Sequence, residues 1–446
     1  MKKKFHLILL TAMVLPPLCL KSQVPAISNI KWGSPTMEEM TMTTYEPDTS
    51  ANAVMLYKTT ELTYEFVGNQ LKAFYDVRNK MKILKPQGIY DAVIEVAYNY
   101  NNNKQGNHES VRYVKGTSYN LVNGEIVASS VSNDLISHDD IDKHQRLMTM
   151  LFPNVDVGTV IEYEYRIDSD LYQEVKAWHA QDSIPVAYCS FNATFPEFFL
   201  LKIYQDKKSQ LHHETSITNN YILQGPITAA CKAQTHSFVG TNLPALTPSS
   251  PKGYEEVVMI DIKSVNLPGQ KRISTHRTWN DVDKQLLDDE EFGSRMKGNP
   301  LKVEMTNAGI FNIKDKNEKI MAIVNLLKSK ASWNGSMTLL GKKADKVLKD
   351  GNGSNSDLNF ILITMLNDAD VKAYPAVIQE PNIPKAMNPS IYSLATTLVA
   401  IENGTGYDFI DITSDTVRIN NISPLLKGQQ VRVIRKGKDN QWENLD

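Results

Sequence analysis

The chain has 446 residues, of which 41% are hydrophobic and 22% are charged, and its formal net charge at neutral pH is −2. This length exceeds one ordinary hydrophobic core, so two or three domains are expected, each large enough to bury an interior. The near-neutral charge gives no basic surface of the kind that nucleic acids or anionic membranes attract, so a nucleic-acid partner is excluded.

The first residues have the layout of a secretory signal. Three lysines precede an apolar run over residues 5–20, and that run is too short for a comfortable membrane span. We predict cleavage near Ser22, so that residues 1–22 are a signal peptide and the mature protein is exported to the periplasm, the cell envelope or the exterior. A retained N-terminal anchor is the alternative. Cys19 is a poor lipid attachment site because small residues do not precede it.

Removal of the signal leaves two cysteines, Cys189 and Cys231. In an oxidising compartment they can form one disulfide, and two buried free thiols are the alternative. Neither cysteine has C-x-x-C spacing, which disfavours a redox centre or a zinc knuckle.

Short alternating or β-branched runs, separated by turn residues, dominate residues 50–270. In NLVNGEIV the pair Asn123-Gly124 lies between two such runs, which is the strongest short signal for a β-hairpin. Frequent strands with few helical windows predict an all-β region over residues 23–275, built as one β-sandwich or two.

Two clusters of potential metal ligands occur in this region: His212, His213 and His236, and Asp139, Asp140 and Asp142. The histidines lack a third clustered ligand, so a solvated hairpin is the better interpretation. The aspartates lack the central glycine and the terminal glutamate of a calcium loop. We therefore predict no metal and no other cofactor.

The pattern changes near residue 276. Two segments repeat apolar residues with the spacing of a helix face: Ile320, Ile323, Val324 and Leu327, and Leu358, Ile361, Leu362, Met365 and Leu366. Strand-like runs follow at 371–378, 392–402 and 407–413. Residues 276–425 are accordingly predicted to form an α+β domain, and residues 426–446 a C-terminal extension or the truncated start of a further β domain.

A small polar turn, GNGSNSD, occupies residues 351–357 and leads into the second of these helices. Its glycines suggest a phosphate loop, but the preceding segment is helical in pattern and no G-K-[ST] follows. Ser354 and Asp357 fit the S-x-x-D capping pattern, which predicts a helix cap.

The stretch GSNSDLNFILITMLNDADVKAYPAVI (353–378) resembles the transglutaminase-like, papain-type core of exported Bacteroidetes proteins. The segments TSYNLVNGEI (117–126), FPNVDVGTVIEYEYRI (152–167) and WHAQDSIPV (178–186) are similar to the uncharacterised β domain that precedes such cores. The resemblance covers most of residues 50–425. It implies cysteine chemistry, in which a thiolate at a helix N-terminus is paired with a histidine that an acid orients.

Carried across residue by residue, the nucleophile position falls on Asn355, the histidine position on Thr396 and the acid on Asp411. An amide cannot be deprotonated near neutral pH, and a threonine cannot shuttle the proton. The resemblance therefore implies a degenerate transglutaminase-like site in which only the acid remains.

The leading hypothesis is a non-catalytic exported binding or scaffold protein. It would hold a peptide, protein or glycan segment in a cleft between the helix at 354–366 and the strands at 394–413, with no membrane span after signal removal. One alternative is an amide or peptide hydrolase, or a transamidase, with Ser354 or Ser356 as a noncysteine nucleophile and a lysine as base. Another is a structural component of an envelope assembly.

Overall fold

The structure is a computed structural model that describes residues 32–100, 108–141, 145–206, 208–223, 229–247, 255–267, 273–274, 277–379, 387–404, 406–414, 416–423, 426–438 and 440–445. The predicted signal peptide at 1–22 and Asp142 lie outside these ranges. No helix among the described residues combines the length and the apolar composition needed to cross a bilayer.

The strands, in chain order, are β1 Ala53–Val67, β2 Gln70–Ile83, β3 Ile94–Asn99, β4 Glu109–Val122, β5 Glu125–Ser130, β6 Ile136–Asp140, β7 Gln145–Met150, β8 Val160–Ser169, β9 Trp178–His179, β10 Val186–Pro196, β11 Phe199–Tyr204, β12 His212–Leu223, β13 Ala229–Leu243, β14 Val257–Val265, β15 Ile273–Ser274, β16 Ser332–Trp333, β17 Asn352–Gly353, β18 Ala373–Gln379, β19 Leu394–Glu402, β20 Tyr407–Ile410, β21 Gln430–Val433 and β22 Trp442–Asn444. The α-helices are α1 Met37–Thr41, α2 Trp279–Asp288, α3 Lys302–Asn307, α4 Lys316–Lys330, α5 Ala344–Asp350 and α6 Asn355–Asp368.

The chain divides into two units, and neither is continuous in sequence. The first unit comprises Met1–Tyr172, Trp178–Glu197 and Gln205–Val258, and the second comprises Gln173–Ala177, Phe198–Tyr204 and Met259–Asp446. The predicted boundary at residue 275 therefore differs from the observed division, in which the last change of unit lies between Val258 and Met259, within β14. Local sequence patterns missed this because β11 pairs with β14, which follows it only after β12 and β13.

The first unit is dominated by one eight-stranded sheet, in the order β12-β13-β10-β1-β2-β8-β4-β5. The neighbours β1 and β10 are parallel and the other neighbours are antiparallel. A second sheet has the order β3-β7-β6. The prediction of a strand-dominated N-terminal region is thus confirmed at this coarser level, although one sheet is much larger than the other.

The predicted hairpin is present between β4 and β5. Asn123 and Gly124 both have positive φ angles, 51° and 84°, which is the requirement of the two-residue turn that joins twisted strands. Leu121 lies opposite Ile126 across the hairpin.

The second unit contains a five-stranded antiparallel sheet, in the order β20-β19-β18-β21-β22. Helices α2, α4 and α6 contribute buried residues to one apolar cluster with this sheet. Helix α4 buries the four predicted residues, Ile320, Ile323, Val324 and Leu327. Helix α6 differs from the predicted amphipathic helix, because every residue from Asn355 to Leu366 is buried.

Residues 426–446 were predicted to be an extension or the start of another domain, and the structure corrects this. Strand β21 pairs with β18, placing Arg432 opposite Val377, and β22 pairs with β21. Val431 and Val433 are buried with residues of β18 and β19. The end of the described chain is therefore part of the five-stranded sheet.

Candidate functional site

The polar turn before α6 is shaped by two glycines. Gly351 ends α5 in the left-handed conformation, with a φ of 68°, which a glycine adopts without strain. At Gly353 an added Cβ would lie 2.9 Å from both the Cβ of Asp357 and the Cγ1 of Val347, so a larger residue would collide with its surroundings. Backbone conformation and close packing account for both glycines without a bound phosphate.

Ser354 caps α6 as its sequence pattern predicts. Its Oγ accepts a hydrogen bond from the backbone N–H of Asp357 at 3.2 Å, and its own N–H donates to the Oδ2 of Asp357 at 2.9 Å. This reciprocal pair is a capping box, and it satisfies two donors at the start of the helix. The predicted cap is confirmed.

Asn355 occupies the first position of α6 and is completely buried. Its Nδ2 donates to the hydroxyl of Thr396 and to the backbone carbonyl of Thr397, the latter at 3.1 Å. Its Oδ1 accepts from the backbone N–H of Thr338 at 2.7 Å. Both ends of the amide are therefore occupied by protein groups, and the structure brings Asn355 and Thr396 into direct contact.

Asp411 follows β20, whose Ile410 lies opposite Val399 of β19. One carboxylate oxygen accepts from the backbone N–H and the hydroxyl of Thr413, at 3.0 and 2.6 Å, and the other accepts from the N–H of Ser423 at 3.1 Å. The carboxylate thus holds the loop after β20. None of these hydrogen bonds reaches Thr396, whereas Asn355 and Thr396 are bonded to each other directly.

A segment that no sequence pattern singled out covers this site. We call residues 336–342 the covering loop. The carbonyl of Thr338 accepts hydrogen bonds from the hydroxyls of Ser356 and Thr396, and the carbonyl of Leu339 accepts from the hydroxyl of Thr397 at 3.2 Å. The covering loop is therefore bonded to both the helix and the strand.

The cleft predicted between the helix at 354–366 and the strands at 394–413 is closed. Asn355 and Asn359 both donate to the carbonyl of Thr397, so α6 lies against β19 with no intervening space at this level. Short polar side chains on both elements bond to each other and to the covering loop, although the buried Oδ1 of Asn359 has no hydrogen-bond partner among the described residues.

The hydroxyls of the two serines proposed as alternative nucleophiles also form hydrogen bonds with protein groups. The Ser354 Oγ accepts from the Thr338 hydroxyl at 2.8 Å in addition to its capping bond, and the Ser356 hydroxyl donates to the Thr338 carbonyl. Within the described residues neither hydroxyl contacts a histidine or a lysine side chain that could act as a base. Ser356 is fully buried.

The possible disulfide between Cys189 and Cys231 is absent, because both thiols are free; of the two, Cys189 is buried and Cys231 is partly exposed. Cys189 lies opposite Gly240 of β13, whereas Cys231 lies nine positions earlier on the same strand. Nine strand residues span about 30 Å, far beyond the roughly 7 Å limit between the Cα atoms of a disulfide. Burial raises the pKa of the Cys189 thiol to about 12, so this cysteine is an inert core residue.

The histidines of the β region form a pair. The Nε2 of His213 lies 3.1 Å from the Nδ1 of His236, and the His213 ring stacks on Phe238 with 4.3 Å between centroids. Burial, and secondarily His213, lowers the pKa of His236 to about 4. The described part of the chain contains no cluster of three or more histidine, cysteine or acidic side chains suited to a metal ion.

The fold and site together define a two-unit protein, in which a strand-dominated unit is accompanied by an α+β unit whose central helix begins at a buried polar cluster. A family model, DUF3857, matches residues 72–222, most of which lie in the first unit, and is described as a domain of unknown function with solved structure. No curated protein matches the sequence.

Solved structures similar to this chain include a putative protease and a TGase. A crystal structure of a putative protease from Parabacteroides distasonis matches with a TM-score of 0.54 and 13% sequence identity, covering 89% of this chain and 72% of that one. At this identity the likeness shows a shared fold. A structure of a TGase matches 51% of each chain with 11% identity and a TM-score of 0.20, which is too low to support an argument.

Proposed function

We propose that this protein is an exported, non-catalytic scaffold whose second unit is a degenerate transglutaminase-like domain. The sequence resemblance around residues 353–378 supports the domain type. The observation that carries the non-catalytic conclusion is the state of Asn355, whose buried amide is fully bonded where the resemblance places a nucleophile.

Chemistry at this position would need both an ionisable nucleophile and room for a carbonyl carbon next to it. Asn355 and Thr396 provide neither a thiolate nor an imidazole. A substrate carbonyl would also have to displace Thr338, whose backbone N–H and C=O bond Asn355, Ser356 and Thr396. The hydrogen bonds that once would have served a substrate instead stabilise the fold.

A scaffold role follows from this closure. Because hydrogen bonds join the helix, the strand and the covering loop, the site contributes stability to the second unit. A peptide, protein or glycan partner would then bind on another surface and not between the helix at 354–366 and the strands at 394–413.

The experiment is an activity assay on the purified full chain. Hydrolysis of fluorogenic peptides and incorporation of a fluorescent primary amine into a glutamine-containing protein are measured for the natural sequence, Ser354→Ala and Ser356→Ala. We expect all three to give the same background rate. Turnover in the natural sequence that disappears in either alanine variant would replace the scaffold proposal with a serine hydrolase or transamidase.

Export is tested separately by the intact mass of the protein recovered from the envelope or periplasmic fraction of its native cells. We expect a chain that begins near residue 23. Recovery from that fraction with residues 1–22 still attached would favour the retained anchor, and recovery only from the cytoplasm would overturn export.

A further inference from the structure

Strand β12, His212–Leu223, forms one edge of the eight-stranded sheet. It pairs with β13 on one side, and no strand in the described part of the chain pairs with its other side. All side chains from residue 212 to residue 220 are exposed. The outer backbone groups of β12 therefore form a free row of hydrogen-bond donors and acceptors.

The edge lacks most of the features that normally prevent strand addition. Natural edge strands are kept apart by charged residues, by proline or by short length. Strand β12 is twelve residues long, contains no proline and has one acidic residue, Glu214, and Ile217 is 66% exposed. The opposite edge of the same sheet, β5, is only six residues long and begins with Glu125.

The regular part of this edge runs from His212 to Thr218. Over these seven residues the pairing with β13 is continuous, from His212 opposite Val239 to Thr218 opposite Ala233, and the register shifts only after Thr218. A regular ladder on the inner side leaves the outer N–H and C=O groups regularly spaced for a further strand.

We propose that two copies of this chain associate through antiparallel pairing of their β12 edges, with the two-fold axis at Thr215. Apart from Thr215 at the axis, this register places each residue opposite one of different character: His212 opposite Thr218, His213 opposite Ile217, and Glu214 opposite Ser216. Thr215 lies opposite itself. No two like charges lie directly opposite each other, the two Glu214 side chains being diagonal neighbours about 7–8 Å apart, and the Thr–Thr and His–Ile pairs are favourable or neutral across strands.

In a two-fold antiparallel pair, a segment lies opposite the same segment running in the reverse direction. Residues 212–218 can pair in this way without placing two like charges directly opposite each other, so a second copy fits this edge. Two-fold homodimers are also the commonest symmetric assembly. The pairing would convert two eight-stranded sheets into one continuous sheet and would remove the unprotected edge from both.

The first test measures mass by sedimentation velocity across a concentration series. The natural chain is compared with Ile217→Lys and with Val127→Lys, which places the same charge on the opposite edge strand. We expect a dimer whose dissociation constant rises more than about tenfold in Ile217→Lys and stays unchanged in Val127→Lys, because a lysine at an edge blocks strand addition. A monomer at every concentration, or a dimer insensitive to Ile217→Lys, would overturn the proposal.

The second test reports the register and does not depend on a destabilising charge. Thr215→Cys and Thr218→Cys are each made in a Cys231→Ser background and oxidised under mild conditions. At the two-fold axis the paired Cα atoms lie about 5 Å apart, within disulfide range, whereas two copies of residue 218 lie about 20 Å apart. Cross-linking of Thr215→Cys alone supports the register, and failure of Thr215→Cys to cross-link, with a native circular dichroism spectrum, contradicts it.

Discussion

The side-chain amide of Asn355 donates a hydrogen bond to the hydroxyl of Thr396, and this contact joins the first turn of α6 to β19. The two residues occupy the positions where the resemblance places a nucleophile and its histidine. Together with the bond from the same amide to the carbonyl of Thr397, this contact links the helix to the sheet.

Replacement of Asn355 by alanine should therefore destabilise the protein. The substitution leaves the N–H of Thr338 without its acceptor and removes one donor from the carbonyl of Thr397. A buried group left unpaired costs about 1–3 kcal/mol, and we expect a loss of this size in the free energy of unfolding measured with urea. Asn352→Ala is the control, since Asn352 is exposed, and its effect should stay within about 0.5 kcal/mol. Equal effects of the two variants would contradict the buried network.

A cysteine introduced in place of Asn355 should be hidden from reagents. In a Cys231→Ser background, we expect iodoacetamide to modify Asn355→Cys at least about a hundredfold more slowly than Asn352→Cys, because a buried site reacts only when the structure opens. Addition of Thr396→His would favour the thiolate without giving access to it. Fast labelling of the Asn355→Cys variant in the folded protein would mean that the covering loop leaves the site open.

Strand β21, near the C-terminus, should be essential for the stability of the second unit. Arg432 of β21 is 3% exposed and forms two hydrogen bonds with the carboxylate of Asp283 in α2, at 2.8 and 2.7 Å. Arg432→Ala leaves the buried carboxylate without its cation, with the side-chain amide of Asn440 as its remaining partner at 2.8 Å. We expect the substitution to lower the free energy of unfolding by about 3–5 kcal/mol. Lys302→Ala breaks the more exposed pair with Asp368, and it should cost no more than about 1 kcal/mol. Similar losses in both variants would argue that residues 430–444 are not integral to the sheet.

Acid should weaken the first unit through His236. Its pKa is lowered by burial to about 4 in the folded protein, whereas an unfolded chain titrates near its ordinary value. The unfolded state therefore binds more protons between those two values, so stability is present above about pH 6.5 and is lost as the pH falls toward 4.

The measurement is the midpoint of urea unfolding between pH 4 and pH 7. His236→Gln cannot titrate and should show a smaller loss over this interval than the natural chain, while His212→Gln, at an exposed position, should follow the natural chain. Parallel pH profiles for all three proteins would show that His236 does not carry the effect.

Local patterns in the sequence were sufficient for the elements that depend on neighbouring residues. The hairpin at Asn123-Gly124, the buried face of α4 and the cap formed by Ser354 each follow from a few adjacent positions, and each is present. The contact of Asn355 with Thr396 was available only from the family resemblance, since the two residues are far apart in the chain.

Longer-range pairing could not be predicted in the same way. Nothing near Thr338 indicates that its backbone will cover the start of α6, and Gly341 is the one local clue, because a Cβ there would lie 2.7 Å from the Cδ2 of Phe360. The free state of Cys189 and the place of Arg432 in the sheet likewise depend on strand order. Strand order is set by the packing of whole sheets, which apolar periodicity does not report.

The parallel pairing of β1 with β10 also determines when the first unit can be completed. Met55 of β1 pairs with Val186 of β10, and β10 also pairs with β13. The middle of the eight-stranded sheet therefore stays incomplete until most of the unit has been synthesised. Loop closure over such separations is slow, and it leaves strands exposed in the meantime. The nascent chain should accordingly depend on chaperones for longer than a protein of equal size built from consecutive hairpins.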